Sequence, residues 1–150
     1  MIDKLQIVRA TQIWQQAGAY YVRIQAMARK HHITLRQEFD EHDTADTWYI
    51  VALHEDFPVA TARMYALDQH SVTIGRVVVL PEYRHQGLGS LVVRECEQWA
   101  YELGYTRAML DSRDNKIAFY QNLGYTVCGT LEVGETFSCI RMQKELAKRD

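Results

Sequence analysis

The stretch SVTIGRVVVLPEYRHQGLGSLVV, from Ser71 to Val93, decides the fold of this chain. It starts as a run of Val, Ile and Thr, which is typical of a strand, and ends in apolar residues at helical spacing that continue to Leu103. Gly104 then stops the helix, and Tyr105 to Ser112 has the composition of another strand. This order predicts two parallel strands, because the helix carries the chain back to the end at which the first strand began.

The remaining segments predict mainly antiparallel neighbours. Strands are predicted at 5–9, in a meander at 47–56, 58–68 and 71–80, and in a closing hairpin at 125–133 and 136–146, joined by Gly134 and Glu135. Helices are predicted at 11–31, at 35–41 and from Asp114 or Asn115 to Leu123. The first helix is expected to bury a face formed by Ile13, Ala17, Tyr20, Tyr21, Ile24, Met27 and Ala28. We therefore expect one α+β domain over residues 1–150, with a mixed and mostly antiparallel sheet.

Composition narrows the functional classes. The chain has 150 residues, of which 47% are hydrophobic and 24% charged, as in an ordinary folded protein. Its formal net charge of −2 gives no drive toward nucleic acid or an anionic membrane. No apolar stretch reaches the roughly 18 residues of a membrane span, and the N-terminus lacks the layout of a signal peptide, so we expect a cytoplasmic protein. Cys96, Cys128 and Cys139 form no Cys-x-x-Cys pair and are expected to be small core residues.

The loop before the central helix carries Arg84, Gly87 and Gly89 in the pattern Arg-x-x-Gly-x-Gly. A helix N-terminus offers unpaired N–H groups and a partial positive charge, which suit a pyrophosphate. The glycines allow the backbone to approach closely, and Arg84 can add charge-assisted hydrogen bonds. The alternative is a plain turn with a surface charge. The spacing differs from both the P-loop and the Gly-x-Gly-x-x-Gly dinucleotide motif.

The segment VVVLPEYRHQGLGSLVV resembles the acetyl-coenzyme A signature of the GNAT acetyltransferases. The resemblance implies a GNAT fold, with helices on both faces of the sheet and a central parallel strand pair that splays apart to admit the pantetheine. It also implies acetyl-coenzyme A as co-substrate, with no metal. By the same resemblance, the cofactor contacts are Val77, Val78, Val79, Arg84, His85, Gln86, Gly87, Leu88, Gly89 and Ser90.

A second segment, NKIAFYQNLGYTV, is similar to the family's motif on the other side of the cofactor. Asn115 and Tyr120 stand at the family's functional positions, and Tyr125 replaces the commoner Phe. A phenol with a pKa of about 10 suits proton donation to the leaving sulfur, and the resemblance gives Tyr120 that role. The alternative for Tyr120 is a core aromatic beside Phe119. The backbone amide of Val79 is the expected donor to the oxyanion.

An acidic segment precedes the meander. Its carboxylates could attract a cationic amine or deprotonate it, and the candidate substrate residues are Glu38, Asp40, Glu41 and Asp43, with Asp46 nearby. The alternative is a solvated helix end, which is the usual meaning of a charge run. Together with Arg23, three of these residues also fit a pattern found at the start of ElaA-like GNAT members. Although His42 lies among them, the spacing does not favour a metal site.

The sequence thus predicts an N-acetyltransferase of the acyltransferase class. It would move acetyl to a primary amine of a small molecule or peptide by direct attack in a ternary complex, because no cysteine lies in either motif to form an acetyl-enzyme. The alternative is a non-catalytic module that binds or senses acyl-coenzyme A. A homodimer through an edge of the final strands is a further expectation.

Overall fold

A computed structural model describes residues 2–134 and 137–148. In the described part of the chain the main elements follow in this order: β1 Leu5–Arg9, α1 Ile13–Arg23, α2 Leu35–Glu38, β2 Trp48–His54, β3 Phe57–Ala66, β4 Ser71–Val79, α3 Leu88–Glu102, β5 Arg107–Arg113, α4 Ile117–Asn122, β6 Thr126–Val127, β7 Glu132–Val133 and β8 Ser138–Glu145. Shorter helical turns are a π-helical turn at Ile24–Ala28 and 3₁₀ turns at Pro81–Tyr83 and Asp114–Lys116.

The chain divides into two compact units. The first contains the residues up to Tyr65 together with Arg76–Cys96, and the second contains Ala66–Gly75 together with the residues from Glu97 onward. Strand β4 and helix α3 each begin in one unit and end in the other.

In the first unit, β1 pairs antiparallel with β2, and β2 pairs antiparallel with β3. The end of β4 lies beside β3, where the Leu80 N–H donates to the Val59 carbonyl at 2.9 Å. A core cluster of Ala10, Ala19, Tyr49, Val51 and Leu53 packs α1 against β2. These contacts confirm the predicted meander.

The buried face of α1 differs from the predicted one. Residues Gly18, Ala19, Val22 and Arg23 are buried, whereas Ile13 is 84% exposed and Tyr21 is also exposed. The apolar spacing misled the prediction because an arginine lies on the buried face, and small residues there let the helix approach the sheet. Gly18 shows this directly, since a Cβ at its position would lie 3.2 Å from Pro58.

In the second unit, β4 pairs parallel with β5, and β5 pairs antiparallel with β8. The parallel register covers Ser71–Thr73 opposite Arg107–Met109, although β4 continues to Val79 and β5 to Arg113. Both β6 and β7 pair with β8, so the predicted closing hairpin exists with a broken first strand. Its predicted turn at Gly134 and Glu135 includes a residue outside the described part of the chain.

The predicted mixed sheet, with a parallel pair among antiparallel neighbours, is therefore confirmed. The expectation for the cysteines is wrong in one case. Cys96 is buried on α3 and Cys139 is half-buried, but Cys128 is exposed. Cys128 follows the two-residue strand β6, where its backbone N–H still donates to the Arg141 carbonyl at 2.9 Å while its side chain faces solvent.

Candidate active site

The loop between β4 and α3 contains two left-handed residues, of which Gly87 was expected and His85 was not, while Gly89 lies inside α3. After the 3₁₀ turn at Pro81–Tyr83, His85 adopts φ +62° and Gly87 adopts φ +83°. Both values lie in the left-handed region, which Gly enters at little cost and other residues enter rarely. The chain then enters α3 at Leu88.

The start of α3 can present its amides to a ligand. The Leu91 N–H donates to the Gly87 carbonyl at 3.2 Å, so this bond closes the first turn of the helix. The N–H groups before Leu91 have no carbonyl available within the helix. A Cβ on Gly87 would meet no atom within 4 Å, so the space beside the turn is open. Leu88 is buried and anchors the first turn, which leaves the exposed side of the loop to a ligand.

The turn before the loop is held by a side-chain pair. The Tyr83 hydroxyl lies 2.8 Å from His54 Nδ1, and the two rings meet edge to face at 5.5 Å. His54 ends strand β2, and Tyr83 immediately precedes Arg84. This contact fixes the approach of the chain to the loop from the sheet side.

The end of β4 offers backbone donors on the side away from β3. Successive N–H groups of an extended chain point in opposite directions. Because the Leu80 N–H donates to β3, the Val79 N–H points away from β3, and so does the N–H of Val77. Upstream, Arg76 has φ +48°, an unusual value in a strand, and its side chain is directed to the acidic segment described below.

In the second unit, α4 carries Tyr120, whose ring is half-buried. Edge-to-face contacts join it to Phe119 at 4.9 Å and to Tyr125 at 5.9 Å. Asn115 is exposed in the 3₁₀ turn at Asp114–Lys116, directly before α4. Tyr120 therefore has the aromatic neighbours of its alternative interpretation but is not enclosed as a core residue would be.

The acidic segment is an ion network and not a solvated helix end. Arg23, which is 0% exposed, donates from Nε to Glu38 Oε2 at 2.9 Å and from Nη1 to Asp43 Oδ1 at 2.6 Å. Arg63 is also buried and donates from Nη1 to Asp40 Oδ1 at 2.7 Å and to Asp43 Oδ2 at 3.0 Å. The network joins α1, α2, β3 and the loop after α2, which contains Asp40 and Asp43.

Arg76 and Tyr49 complete this network. Arg76 Nη2 donates to the Glu38 carbonyl at 3.0 Å and lies 3.4 Å from Asp40 Oδ2. The Tyr49 hydroxyl donates to Asp43 Oδ1 at 2.6 Å. Three arginines therefore meet the carboxylates of Glu38, Asp40 and Asp43, so the formal charges of these six side chains cancel.

In this network, burial raises the pKa of the aspartate carboxyl groups, whereas hydrogen bonds from the arginines lower it. Burial alone would raise the pKa of Asp43, but hydrogen bonds from Arg23 and Tyr49 outweigh it and hold that pKa well below its usual range. The pKa of Asp40 is lowered as well, because the hydrogen bond from Arg63 outweighs its burial. Burial and the bond to Asp43 raise the pKa of Tyr49. Both carboxyl groups thus stay ionised at neutral pH.

The structure brings three of the four candidate substrate carboxylates together and leaves one outside. Glu41 is 81% exposed and lies 3.4 Å from His42 Nε2. His42 stacks on Tyr65 with ring centroids 3.9 Å apart. Arg63 and Arg76 were not among the residues predicted from the sequence. A charged residue within an otherwise apolar strand is nevertheless a signal, because it must find a partner when it is buried.

Two buried side-chain atoms of the described residues lack a hydrogen-bond partner, Arg63 Nε and Thr73 Oγ1. The other nitrogens of Arg63 are engaged by carboxylates, so its charge is satisfied. Among the residues that the structure describes, no three His, Cys, Asp or Glu side chains are grouped as they would be around a metal ion. The described helices include none with the length and apolar character needed to cross a membrane.

Residues 10–125 match the sequence profile of the Acetyltransferase (GNAT) family. This match spans well over half of the chain, which therefore belongs to the GNAT family of acetyltransferases, enzymes that transfer acyl groups from acetyl-coenzyme A. The predicted α+β fold class is confirmed, with a mixed sheet and helices on both sides.

Individual relatives agree with this assignment. The uncharacterized protein YyaT of Bacillus subtilis (strain 168) is 30% identical over 132 residues, which are 87% of this chain and 88% of YyaT. The crystal structure of a Lactobacillus plantarum protein, provisionally described as an N-acetyltransferase, is similar with a TM-score of 0.90 at 26% identity, covering 95% of this chain and 99% of that one. ElaA of Escherichia coli is similar with a TM-score of 0.78 at 22% identity, covering 97% and 100%. At that identity the likeness to ElaA shows the shared fold alone.

Proposed function

We propose that this protein is an N-acetyltransferase that moves acetyl from acetyl-coenzyme A to a primary amine of a small molecule or peptide, by direct attack in a ternary complex. The observation that carries the proposal is the turn at His85 and Gly87, with its two left-handed residues leading into the 15-residue helix α3. A GNAT chain with this turn has the means to hold the pyrophosphate of its co-substrate.

The residues present fit that group. From Arg84 to Ser90 the loop contains no carboxylate, and its amides lead into a helix N-terminus. We assign the pyrophosphate to the backbone of this loop, with Arg84 as the charged side chain, and the pantetheine to the edge of Val77–Val79. Asn115 is assigned to the same co-substrate by resemblance. When bound, acetyl-coenzyme A supplies an acetyl group activated for attack as a thioester.

Two groups of the chain would act on the reacting atoms. The Val79 N–H, which points away from β3, would donate to the carbonyl oxygen and stabilise its negative charge as the amine nitrogen attacks. Tyr120 would donate its hydroxyl proton to the sulfur as the C–S bond breaks and the N–C bond forms. Its partial exposure supports this role, since a fully enclosed phenol could not reach a substrate.

The acidic segment would contribute to the acceptor side in two ways. Glu38, Asp40 and Asp43 are paired with arginines, which supports a role in holding the loop in shape. Glu41 is exposed and could attract a cationic amine or accept its proton through water. The attraction of an amine by the whole segment stays a prediction. Because arginines pair with Glu38, Asp40 and Asp43, Glu41 is the candidate carboxylate that best fits this role.

Free thiol measurement tests the proposed function. The protein is incubated with acetyl-coenzyme A and a panel of polyamines, aminoglycosides, amino acids and peptides, and thiol release is followed. We expect release with at least one amine and a decrease of kcat by about 100-fold in Tyr120→Phe, the lower end of general acid catalysis. Tyr101→Phe, which removes the same hydroxyl from an exposed tyrosine of α3, is the matched control. Saturable binding without release from any amine would contradict the enzyme and support the acyl-coenzyme A binding module.

Three further expectations belong to this proposal. Residues 1–150 would act as one acetyltransferase domain, a proposal that the family match over 10–125 supports. The protein would work in the cytoplasm, and an edge of the final strands would offer a surface for a homodimer. Size measurement in solution would test the dimer, since a single monomeric species at high concentration would contradict it.

A further inference from the structure

The turn that follows α4 is held by a lysine from a distant strand. Lys144, near the end of β8, donates from Nζ to the Leu123 carbonyl at 2.7 Å and to Glu97 Oε1 at 2.8 Å. The Tyr125 hydroxyl donates to the other oxygen of the same carboxylate, Glu97 Oε2, at 2.8 Å. One carboxylate of α3 thus accepts hydrogen bonds from a tyrosine and a lysine that lie 28 and 47 residues later in the sequence.

This clamp, defined as Glu97, Tyr125 and Lys144, acts on a helix that needs support. Helix α4 has only 6 residues, and a helix of that length is unstable by itself in water. Its last carbonyls have no partners within the helix. The Leu123 carbonyl is one group at this end, and the lysine ammonium satisfies it, as basic residues often do at helix C-termini.

The backbone connects the clamp to Tyr120. The Tyr120 carbonyl accepts hydrogen bonds from the N–H groups of Leu123 and Tyr125, each at 3.0 Å. The Tyr125 ring is 2% exposed and meets the Tyr120 ring edge to face at 5.9 Å. Any displacement of the turn therefore moves the carbonyl and the ring contact of Tyr120 together.

Gly124 makes room for the clamp. It adopts φ +100°, and a Cβ at its position would lie 3.3 Å from Lys144 Cε. The lysine stem thus passes directly over the glycine, and its ammonium lies 5.6 Å from the Tyr125 ring centroid. The Lys144 and Glu97 side chains are only 27% and 12% exposed, so solvent screens their attraction less than it screens a surface pair.

We propose that Lys144 is a positioning residue for Tyr120, and that it acts through Glu97, Tyr125 and the C-terminal end of α4. This inference rests on the proposed role of Tyr120 as the proton donor to the leaving sulfur. The hydroxyl of Tyr125, where the family more often has Phe, gives this chain an additional contact to Glu97. The lysine does not touch the reacting atoms and is not a catalytic residue.

The test compares Lys144→Met with Lys148→Met, the same substitution at an exposed lysine on the following segment. With acetyl-coenzyme A and the panel amine that reacts fastest, Lys144→Met should lower kcat about tenfold, as misplacement of a catalytic group does. The KM for acetyl-coenzyme A should stay within about twofold, because the phosphate loop is untouched. In the Tyr120→Phe background the same substitution should cause no further loss of kcat.

A second readout does not depend on activity. Hydrogen exchange followed residue by residue should show faster exchange of the Leu123 and Tyr125 amides in Lys144→Met, and unchanged exchange in Lys148→Met. If Lys144→Met does not fold, Tyr125→Phe, which removes one hydroxyl, should shift the same amides and kcat in the same direction by a smaller factor.

The possible results distinguish a failure of the proposed proton donor, Tyr120, from a failure of the positioning role of Lys144. Unchanged kcat in Tyr120→Phe would overturn the proposed proton donor and this inference with it. Suppose that Tyr120→Phe lowers kcat as expected, and that Lys144→Met lowers kcat by the same factor in the Tyr120→Phe background as in the unaltered protein. This result would overturn only the positioning role. Unchanged exchange of the Leu123 and Tyr125 amides in Lys144→Met would also overturn it.

Discussion

Two polar segments of the first unit, the loop at 84–90 and the acidic segment at 38–46, differ in how they are built. The loop is shaped by its own backbone, with left-handed conformations at His85 and Gly87 and a helix beginning at the next residue. The acidic segment is shaped by arginines on other elements, of which Arg76 lies 38 residues from Glu38. The first pattern is local, whereas the second becomes visible only when the chain is folded.

The difference indicates a separate role for each of the two segments. A loop with open space beside Gly87 and with the N-terminal amides of α3 is suited to bind an anion. A set of carboxylates whose charges are cancelled by buried arginines is suited to hold the chain in place. Substitution in the loop should therefore affect ligand affinity, and substitution in the network should affect stability.

The largest expected effect is on the loop. Gly89→Glu places a carboxylate in the first turn of α3, where like-charge repulsion with a pyrophosphate costs several kcal/mol. Calorimetry should show affinity for coenzyme A reduced by about 100-fold or more, with the thermal midpoint nearly unchanged. Gly89→Gln, of similar size and without charge, should lose much less. Equal losses in both variants would attribute the effect to bulk and not to the anion site.

Substitution in the arginine–carboxylate network should lower the free energy of unfolding. Arg23→Met removes one buried arginine from both Glu38 and Asp43, which costs about 3–5 kcal/mol of unfolding free energy. Urea denaturation measures the loss, and Arg36→Met, at an exposed arginine on α2, should change stability by less than about 0.5 kcal/mol. If Arg23→Met were as stable as the unaltered protein, the network would not be a structural device.

The pH dependence should follow from the same pairs. The pKa of Asp43 is lowered in the folded protein, so its contribution to stability is fully present above the unfolded value of about 3.9 and is lost as pH falls further. Urea midpoints measured from pH 6 down to pH 3 should therefore fall steeply below about pH 4. Asp43→Asn should start from lower stability and fall less steeply. A parallel decline in the two proteins would show that Asp43 does not supply this dependence.

The smallest effect sharpens the role of one glycine. Gly87→Ala forces a Cβ into the left-handed region, which costs about 1–2 kcal/mol although the space is open. Thermal unfolding should report the loss, and coenzyme A affinity should fall with it if the turn relaxes. Gly75→Ala is the matched control, because its site is equally open and its φ is not positive. Equal stability of both variants would mean that the left-handed turn is not needed.

Most of the fold could be predicted from the sequence, because its signals are local. The strand at Ser71–Val79, the helix at Leu88–Glu102 and the stop at Gly104 follow from composition and spacing over short windows. The buried face of α1 could not be predicted in this way. Its position depends on Arg23, which is buried only because Glu38 and Asp43 meet it from later in the chain.

The candidate site likewise contains local features, which could be predicted, and long-range contacts, which could not. The glycine loop was predicted, and Gly87 has the left-handed conformation that its residue type allows, but the positive φ of His85 was not predicted and Gly89 lies inside α3. Tyr125 shows the opposite case. Its replacement of the family's commoner Phe looks minor in sequence, but the structure gives its hydroxyl a partner in Glu97, 28 residues earlier. Contacts over that distance leave no pattern that periodicity or composition can detect.

The central claim is that the loop at 84–90 binds the pyrophosphate of coenzyme A. Calorimetric titration of the unaltered protein with coenzyme A and with pantetheine, which lacks the pyrophosphate and nucleotide, tests it most directly. We predict that coenzyme A binds at least about tenfold more tightly, as one or two charge-assisted hydrogen bonds would provide, and that the advantage disappears in Gly89→Glu. Equal dissociation constants for the two ligands in the unaltered protein would contradict the claim.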